Sequence, residues 1–247
     1  MQEPNTTPDE PLNTDLDTRR SGLHDVVLNG IGQAIVAGEY PVGEVLPHET
    51  LLGAKYGIGR NSLREVYKVL ATKGLITSIR KTGTVVQPVE SWDVFDPQLI
   101  RWAVGTPLLN QIMLSLSEAR LVIEPEAAYR AAQRATGKDI YAIEEALATM
   151  ATGDPNDDSF FTADLSFHLA VIRASHNPLW VKFGRMLSEA FVQSFRHSHD
   201  AADIEQIVAI HKNVLECVRL RNADEARDSM KALLGHAETV LRLRGID

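Results

Sequence analysis

The sequence predicts a mainly α-helical chain in two parts, an N-terminal winged helix-turn-helix and a C-terminal antiparallel all-α bundle of six or seven helices. Three observations carry that prediction. Between Leu46 and Gly83 a short helix, a glycine-bounded turn, a second helix and an alternating hairpin follow one another without a gap. Beyond Leu99, apolar residues recur at helical spacing and no segment alternates convincingly as a strand. The charge is also uneven. Residues 1–18 hold five acids and no base, residues 19–88 nine Lys or Arg against five acids, and residues 89–247 sixteen against twenty-three, so −5, +4 and −7 make up the overall −8.

Taken in order, residues 1–21 are an acidic, proline-containing tail with little to pack, and are expected to be disordered. Residues 22–88 form the winged unit. Its first helix runs from Leu23 to Ala37, with Val26, Val27, Ile31 and Ile35 as the apolar stripe and Gly38 as the stop. Glu49 to Tyr56 is a short second helix whose apolar positions are Leu51, Leu52 and Tyr56. Gly57 and Gly59 flank Ile58 and permit the left-handed backbone of a sharp turn. The next helix, Asn61 to Lys73, buries Leu63, Val66, Tyr67 and Leu70 and turns Arg60, Asn61, Ser62 and Arg64 the other way. Gly74 ends it, and the alternation around Arg80, Lys81, Thr82 and Gly83 spells a β-hairpin with a basic tip.

Residues 89–98 read as a linker that docks Trp92 and Phe95, and residues 99–247 as the helical domain. There Thr106-Pro107, a capping residue followed by proline at the first helical position, opens a long helix to about Ala135. Lys138–Thr152, Asp157–Ser175, Pro178–Ser198, Ala202–Leu220 and Ala223–Arg244 follow.

In a winged helix-turn-helix the start of the second helix of the motif enters the major groove, where Arg grips guanine O6 and N7 and short polar side chains reach phosphates or base edges. The one net-positive stretch of the chain coincides with that helix, which is where an electrostatic footprint for DNA belongs. A satellite domain with merely solvated arginines is the competing interpretation, and the charge distribution argues against it. Reading a palindromic double-stranded operator asks for two recognition helices about one helical turn of DNA apart, hence a homodimer. Composition is that of a soluble globular protein, 44% hydrophobic and 23% charged. The acidic, Pro-rich N-terminus is neither a signal peptide nor a membrane anchor, and no apolar run is long enough to span a bilayer, so no membrane partner is expected. The single Cys217 excludes an intramolecular disulfide and fits a reducing cytoplasm.

Polar residues interrupt the apolar faces of the helical domain. In the helix from Asp157, the stripe Phe161, Leu165, His168, Ile172 includes a histidine, and Asp164 stands one turn before it. Two helices on, Ile204, Ile207, His211, Val214 and Val218 again place a histidine inward. An acid and two histidines on separate helices suit a metal site in the bundle core, with Zn²⁺ the best match to that ligand set. The bland alternative is a pair of satisfied core histidines held by Asp164. A catalytic metal with an open position, making the chain a metal-dependent hydrolase with a targeting domain, is a further class. Arg120, among Leu114, Leu116, Leu121 and Ile123, either pairs with Glu124 or clamps a ligand carboxylate. Asn177 before Pro178, and Ser198 and His199 in the run Arg196-His197-Ser198-His199, are further effector-pocket candidates.

With these residues in place, the chain resembles a GntR-family regulator of the FadR subfamily, a winged helix-turn-helix followed by an FCD effector domain. The resemblance rests on "GEVLPHETLLGAKYGIGRNSLREVYKVLATKGLI", "KTGTVV", "SEARLVIEPEAA", "DLSFHLAVIRASHNP" and "AIHKNVLECV", and covers Leu23 to about Arg242. Within the subfamily, "SWDVFDPQLIRW" and "EARLVIEP" are similar to repressors of galactonate and related sugar-acid operons. It implies a repressor without enzymatic activity, released from its operator by a small carboxylate, such as a galactonate-like aldonate or a uronate, in a metal-assisted pocket; the same architecture can instead sense a hydroxy acid or an acyl-CoA. It puts Arg60, Asn61, Ser62 and Arg64 on the recognition contacts, Lys81, Thr82 and Gly83 on the wing tip, Asp164, His168 and His211 on three metal ligands, and Arg120 in the pocket. Two departures stand out. Gly59 and Thr50 replace residues that contact DNA in many members. Leu233 occupies the position of the usual fourth metal ligand, with His236 three residues on and about 60° to one side.

Overall fold

The computed structural model describes residues 14–153, 157–188, 190, 192 and 204–243, and divides into two compact units, 1–93 and 94–247. In the first unit, α1 (Thr14–Val36), α2 (Glu49–Tyr56) and α3 (Arg60–Thr72) precede a two-stranded antiparallel hairpin, β1 (Ile76–Ile79) and β2 (Gly83–Val86). The helix α1 begins at Thr14, well before the expected Leu23, so the tail is not irregular throughout 1–21. No proline follows Pro11 until Pro41, and nothing in the sequence stops the helix from extending backwards. Val27, Ile31 and Ile35 are buried as expected, whereas Val26 is exposed.

The turn between α2 and α3 uses its glycines differently from one another. Gly57 is left-handed with φ 68° and caps α2, while Gly59 is extended and serves as the N-cap of α3. Only one left-handed residue is needed because the next helix restarts from an extended cap. Of the apolar positions of α2, Leu52 is buried and Leu51 exposed. Leu63, Val66, Tyr67 and Leu70 form the buried face of α3, which packs on α1 and α2. In the hairpin Ile76 pairs with Val86 and Ile79 with Gly83, and the turn between them puts Lys81 and Gly83 at positive φ. Gly74, also at positive φ, is the place where the chain doubles back: a Cβ there would lie 1.9 Å from the carbonyl oxygen of Ser91. That close approach exists because the expected linker packs onto this unit. A 3₁₀ turn at Val89–Ser91 leads to Trp92, which is buried with its Nε1 donating to Gln87 O at 2.9 Å. Phe95 stays exposed.

The second unit contains α4 (Pro97–Ala103), α5 (Pro107–Arg134), α6 (Gly137–Thr152), α7 (Asp158–Ala174), α8 (Pro178–Met186), α9 (Ile204–Arg219) and α10 (Ala223–Leu243). The helix α4 begins inside the expected linker, capped by Asp96 Oδ1 on the amides of Gln98 and Leu99 with Pro97 at its first turn. Asp96-Pro97 carries the same spelling as Thr106-Pro107 and signals the start just as well. The helix expected over Pro178–Ser198 is interrupted at Leu187, the cap of α8, and Ser188, Ala190 and Val192 are helical again.

In the bundle α5 packs on α10, α7 and α9, and α6 on α7 and α9. About 42 Å long at 1.5 Å per residue, α5 buries Leu109, Met113, Leu116, Arg120, Glu124, Ala127, Ala128 and Ala131, a run at spacings of three and four. Two charged residues therefore occupy core positions of the central helix. The buried arc of α7 is rotated from the expected stripe: Phe160, Asp164, Phe167, His168 and Val171 are buried, while Phe161 and Leu165 are half-exposed. It is wide because α7 is flanked by α5, α6 and α8 at once. On α9, Ile207, His211, Val214 and Val218 point inward as the sequence predicts.

Candidate functional site

The first candidate surface lies on the N-terminal unit. Arg60, Asn61, Ser62 and Arg64 are exposed on the first turn of α3, opposite its buried face, and Arg80, Lys81, Thr82 and Gly83 are exposed at the wing turn. A cleft of about 450 Å³ joins the two, lined among others by His48, Glu49, Arg60, Arg64, Thr82 and Gly83. A helix end bearing arginines beside a hairpin tip is the arrangement that lays one element in the major groove and the other over the adjoining backbone. Glu49 was not anticipated there. Its Oε2 lies 3.6 Å from Arg64 Nε, with the Arg64 side chain 64% exposed. A solvated pair of that kind contributes at most about 1 kcal/mol, so it holds the Arg64 side chain only weakly. Beneath the cleft, the Tyr67 hydroxyl is buried with no hydrogen-bond partner, and burial, then Glu49 and Tyr40, push its pKa up to about 12.

The second candidate site is enclosed in the helical unit. Asp164 and His168 from α7 and His211 from α9 bring one ligand atom each to within 4.8 Å of one another, and all three residues are buried. Asp164 Oδ1 is the hub, 3.2 Å from His168 Nε2 and 3.1 Å from His211 Nε2. The far nitrogens are already committed. His211 Nδ1 donates to the carbonyl of Ile207 at 2.7 Å, one turn back on α9. His168 Nδ1 donates to Glu124 Oε2 at 2.5 Å. With Nδ1 as the N–H in both rings, each neutral imidazole turns its Nε2 lone pair toward the same carboxylate oxygen. Three electron-rich atoms converging in a dry core call for a cation, supplied either by extra protons on the imidazoles or by a metal ion. The two nitrogens lie 3.2 and 3.1 Å from Asp164 Oδ1, and all three ligand atoms lie within 4.8 Å of one another. The donor set thus fits a divalent metal such as Zn²⁺. Phe167 stands edge-on to both rings, 4.8 Å from His211 and 5.8 Å from His168 between centroids, and helps to shield the site.

Arg120 and Glu124 complete the cluster. Arg120 Nε donates to Glu124 Oε1 at 2.7 Å, with both side chains almost wholly buried. Arg120 Nη2 lies 3.3 and 3.5 Å from the two ring nitrogens of His168, a position over the ring. Of the two roles the sequence left open for Arg120, pairing with Glu124 is therefore realised. The few tenths of a kcal/mol that disfavour an Arg-before-Glu order on a solvated helix are irrelevant where both partners are desolvated. Burial alone would raise the Glu124 carboxyl, but Arg120 and then His168 outweigh it and hold the pKa at about 2. Burial alone would lower His168; the charge of Glu124 and the hydrogen bonds to Asp164 and Glu124 overcome that burial and the opposing charge of Arg120, and the net shift is upward.

Leu233 is buried in the apolar core, and His236, half-exposed, is not in the group of converging ligand atoms. Asn177 accepts from the amides of Leu179 and Trp180 as the cap of α8, a job that by itself explains an asparagine before Pro178. Ser198 and His199 lie outside the described residues. Glu124 was expected only as a partner for Arg120; its contact with His168 was not foreseen, although it falls on the Leu109–Ala131 stripe, one turn after Arg120.

A winged helix-turn-helix with exposed arginines, followed by a helical bundle, is the architecture of a DNA-binding regulator. Residues 23–86 match the gntR family of bacterial regulatory proteins and residues 115–236 the FCD domain. The chain is 30% identical over 224 residues to the galactonate operon transcriptional repressor of Escherichia coli K12, covering 90% of this chain and 97% of that protein. It is 27% identical to the Uxu operon regulator of Haemophilus influenzae, covering 92% and 85%. In fold it is similar to Lar of Listeria monocytogenes, with a TM-score of 0.62, 18% identity and coverage of 90% and 97%. The chain belongs to the GntR family and carries an FCD domain. Family and relatives are transcriptional regulators rather than enzymes, which sets the hydrolase reading aside. No helix among the described residues is long and apolar enough to cross a membrane.

Proposed function

We propose that this protein is a homodimeric repressor of a carbohydrate-acid catabolic operon. Two copies of α3 read a palindromic operator through Arg60, Asn61, Ser62 and Arg64, with Arg80, Lys81, Thr82 and Gly83 at the wing tip, which enters the minor groove. A small sugar acid, a galactonate-like aldonate or a uronate, binds the helical domain and releases the DNA. The observation that carries the effector half is the buried meeting of Asp164, His168 and His211 beside Arg120. Such a site suits a small hydrophilic acid, whereas an acyl chain asks for a continuous apolar tunnel. Asp164, His168 and His211 would hold a divalent metal, which when bound supplies a Lewis-acidic anchor for carboxylate and hydroxyl oxygens. Three protein ligands leave coordination positions for the effector, which agrees with Leu233 standing in place of a fourth. Arg120 sits within reach to face a carboxylate, Phe167 excludes water, and His168 must give up any second proton before its Nε2 binds metal. Support for the sugar-acid class comes from the operons named for the galactonate and Uxu relatives.

The operator affinity need change by only about 1.4 kcal/mol for a tenfold release. The test is thermal stabilisation of the purified protein by aldonates, uronates, short hydroxy acids and acyl-CoAs, each with and without chelator. An acid at 100 times its dissociation constant adds about 2.7 kcal/mol. Stabilisation by a sugar acid that chelation abolishes, together with release from operator DNA by the same compound, is the expected result. Stabilisation by acyl-CoA alone, or a sugar-acid response that is indifferent to chelator and persists in Asp164→Ala, would overturn the effector assignment.

A further inference from the structure

The two histidines of the buried site are oriented by devices of different kinds. His211 Nδ1 is held by a backbone carbonyl of its own helix, Ile207 O at 2.7 Å, an anchor that comes with the helix itself. His168 Nδ1 is held by a carboxylate of another helix, Glu124 Oε2 at 2.5 Å. The other oxygen of that carboxylate accepts from Arg120 Nε at 2.7 Å. Glu124 is 1% exposed on α5, with Arg120 of the same helix as its ion-pair partner. A buried carboxylate on the far nitrogen of a ligating imidazole fixes the ring's orientation, selects the tautomer that presents the other nitrogen, and raises that nitrogen's basicity.

We propose that Glu124 is a positioning residue for the metal site, holding His168 with Nε2 turned toward Asp164 and His211, and that Arg120 holds Glu124 in that role. The inference rests on the metal reading given above. It places control of the site on α5 as well as on the helices that supply the ligands. Whatever engages Arg120, an anionic effector included, then competes with Glu124 for the guanidinium and so acts on His168 through a chain of two contacts. At His211 the corresponding nitrogen is held within α9 itself, by the Ile207 carbonyl.

The experiment uses full-length protein stripped of metal and titrated with Co²⁺, read by its visible absorption bands, with Zn²⁺ competition for affinity. Glu124→Gln keeps the shape and removes the charge, and should weaken metal binding by about 10–100-fold with altered Co²⁺ bands. Because Glu124→Gln leaves the buried Arg120 without its counter-charge, the double variant Arg120→Gln/Glu124→Gln provides a neutral pair, and the same loss is expected in it. A second readout needs no metal. In the metal-free wild type, proton NMR should find a far-downfield imidazole N–H that disappears in His168→Gln and moves upfield in the double variant. Affinity within threefold of wild type in both variants, or no such proton in the wild type, overturns the proposal. If the wild type binds no Co²⁺ but the proton is present and responds, the orientation by Glu124 stands and the metal reading of the site falls instead.

Discussion

The two halves of this chain carry their chemistry in opposite ways. In the N-terminal unit the candidate DNA-contacting residues are exposed, close in sequence, and held up by an apolar face on the other side of the helix. Arg60, Asn61, Ser62 and Arg64 lie at the start of α3, and their side chains take no part in the core. In the helical unit the corresponding residues are Arg120, Glu124, Asp164, His168 and His211. They come from three helices, are buried, and occupy core positions that an apolar residue would fill at lower cost. Function and stability are therefore separable in the first unit and entangled in the second, since a buried charge must be matched where it stands.

That contrast is broken most directly at Arg120. Arg120→Ala leaves Glu124 ionised in the core with His168 as its remaining cationic partner, and should cost about 3–5 kcal/mol in urea unfolding. Replacing the pair together, Arg120→Leu with Glu124→Met, should restore most of it. A loss below about 1 kcal/mol in Arg120→Ala would mean that the pair is not desolvated in solution.

Acid sharpens the same point. The Glu124 carboxyl is held at about 2 against an ordinary 4.5, so between those values the folded chain binds fewer protons than the unfolded one. The stability it contributes is complete above about pH 4.5 and is lost as pH falls through about 2. Glu124→Gln should flatten that acid limb in denaturation measured pH by pH; an unchanged limb would assign it to other carboxylates.

Three smaller effects belong to the N-terminal unit. Gly74→Ala combines a φ of 78° with a Cβ that would overlap the Ser91 carbonyl, and should cost more than about 2 kcal/mol by thermal unfolding. Arg64→Ala should weaken operator binding by about 1–3 kcal/mol in an anisotropy titration while leaving the melting temperature unchanged. Full DNA affinity in that variant would remove Arg64 from the interface. Tyr67→Phe deletes a buried hydroxyl without a partner and should be neutral or slightly stabilising; a loss above about 1 kcal/mol would mean that the hydroxyl is bonded in solution.

Local patterns were the legible ones. The helix-turn-helix, the wing and the inward histidines follow from spacing and turn residues, because their geometry is decided within one or two turns of chain. The start of α4 was equally local, written in Asp96-Pro97, and was hidden only by reading the stretch as a linker. Glu124 was legible as a partner for Arg120 but not as a core carboxylate. Leu114, Leu116, Leu121 and Ile123 all stand near Arg120 in sequence, whereas the buried run of α5 passes through Leu116, Arg120 and Glu124, and an error in phase hides that position. The shifted arc of α7 is the same error: with partners on three sides, the helix buries more than one stripe, and periodicity alone cannot say which.

The sequence by itself determined that the chain has an arginine-bearing reading helix with a basic wing, and that acids and histidines intrude on the apolar faces of a helical bundle. Those follow from local conformational preference and from amphipathic spacing. Only the tertiary structure decided which of the intruding groups meet. It set His168 between Glu124 and Asp164, turned His211 onto the same carboxylate oxygen, and tied Arg120 to Glu124. The contacts between helices cross 44 to 48 positions of sequence. Their geometry depends on how α5, α7 and α9 are rotated against each other, a quantity set by the packing of whole helix faces and written in no single segment.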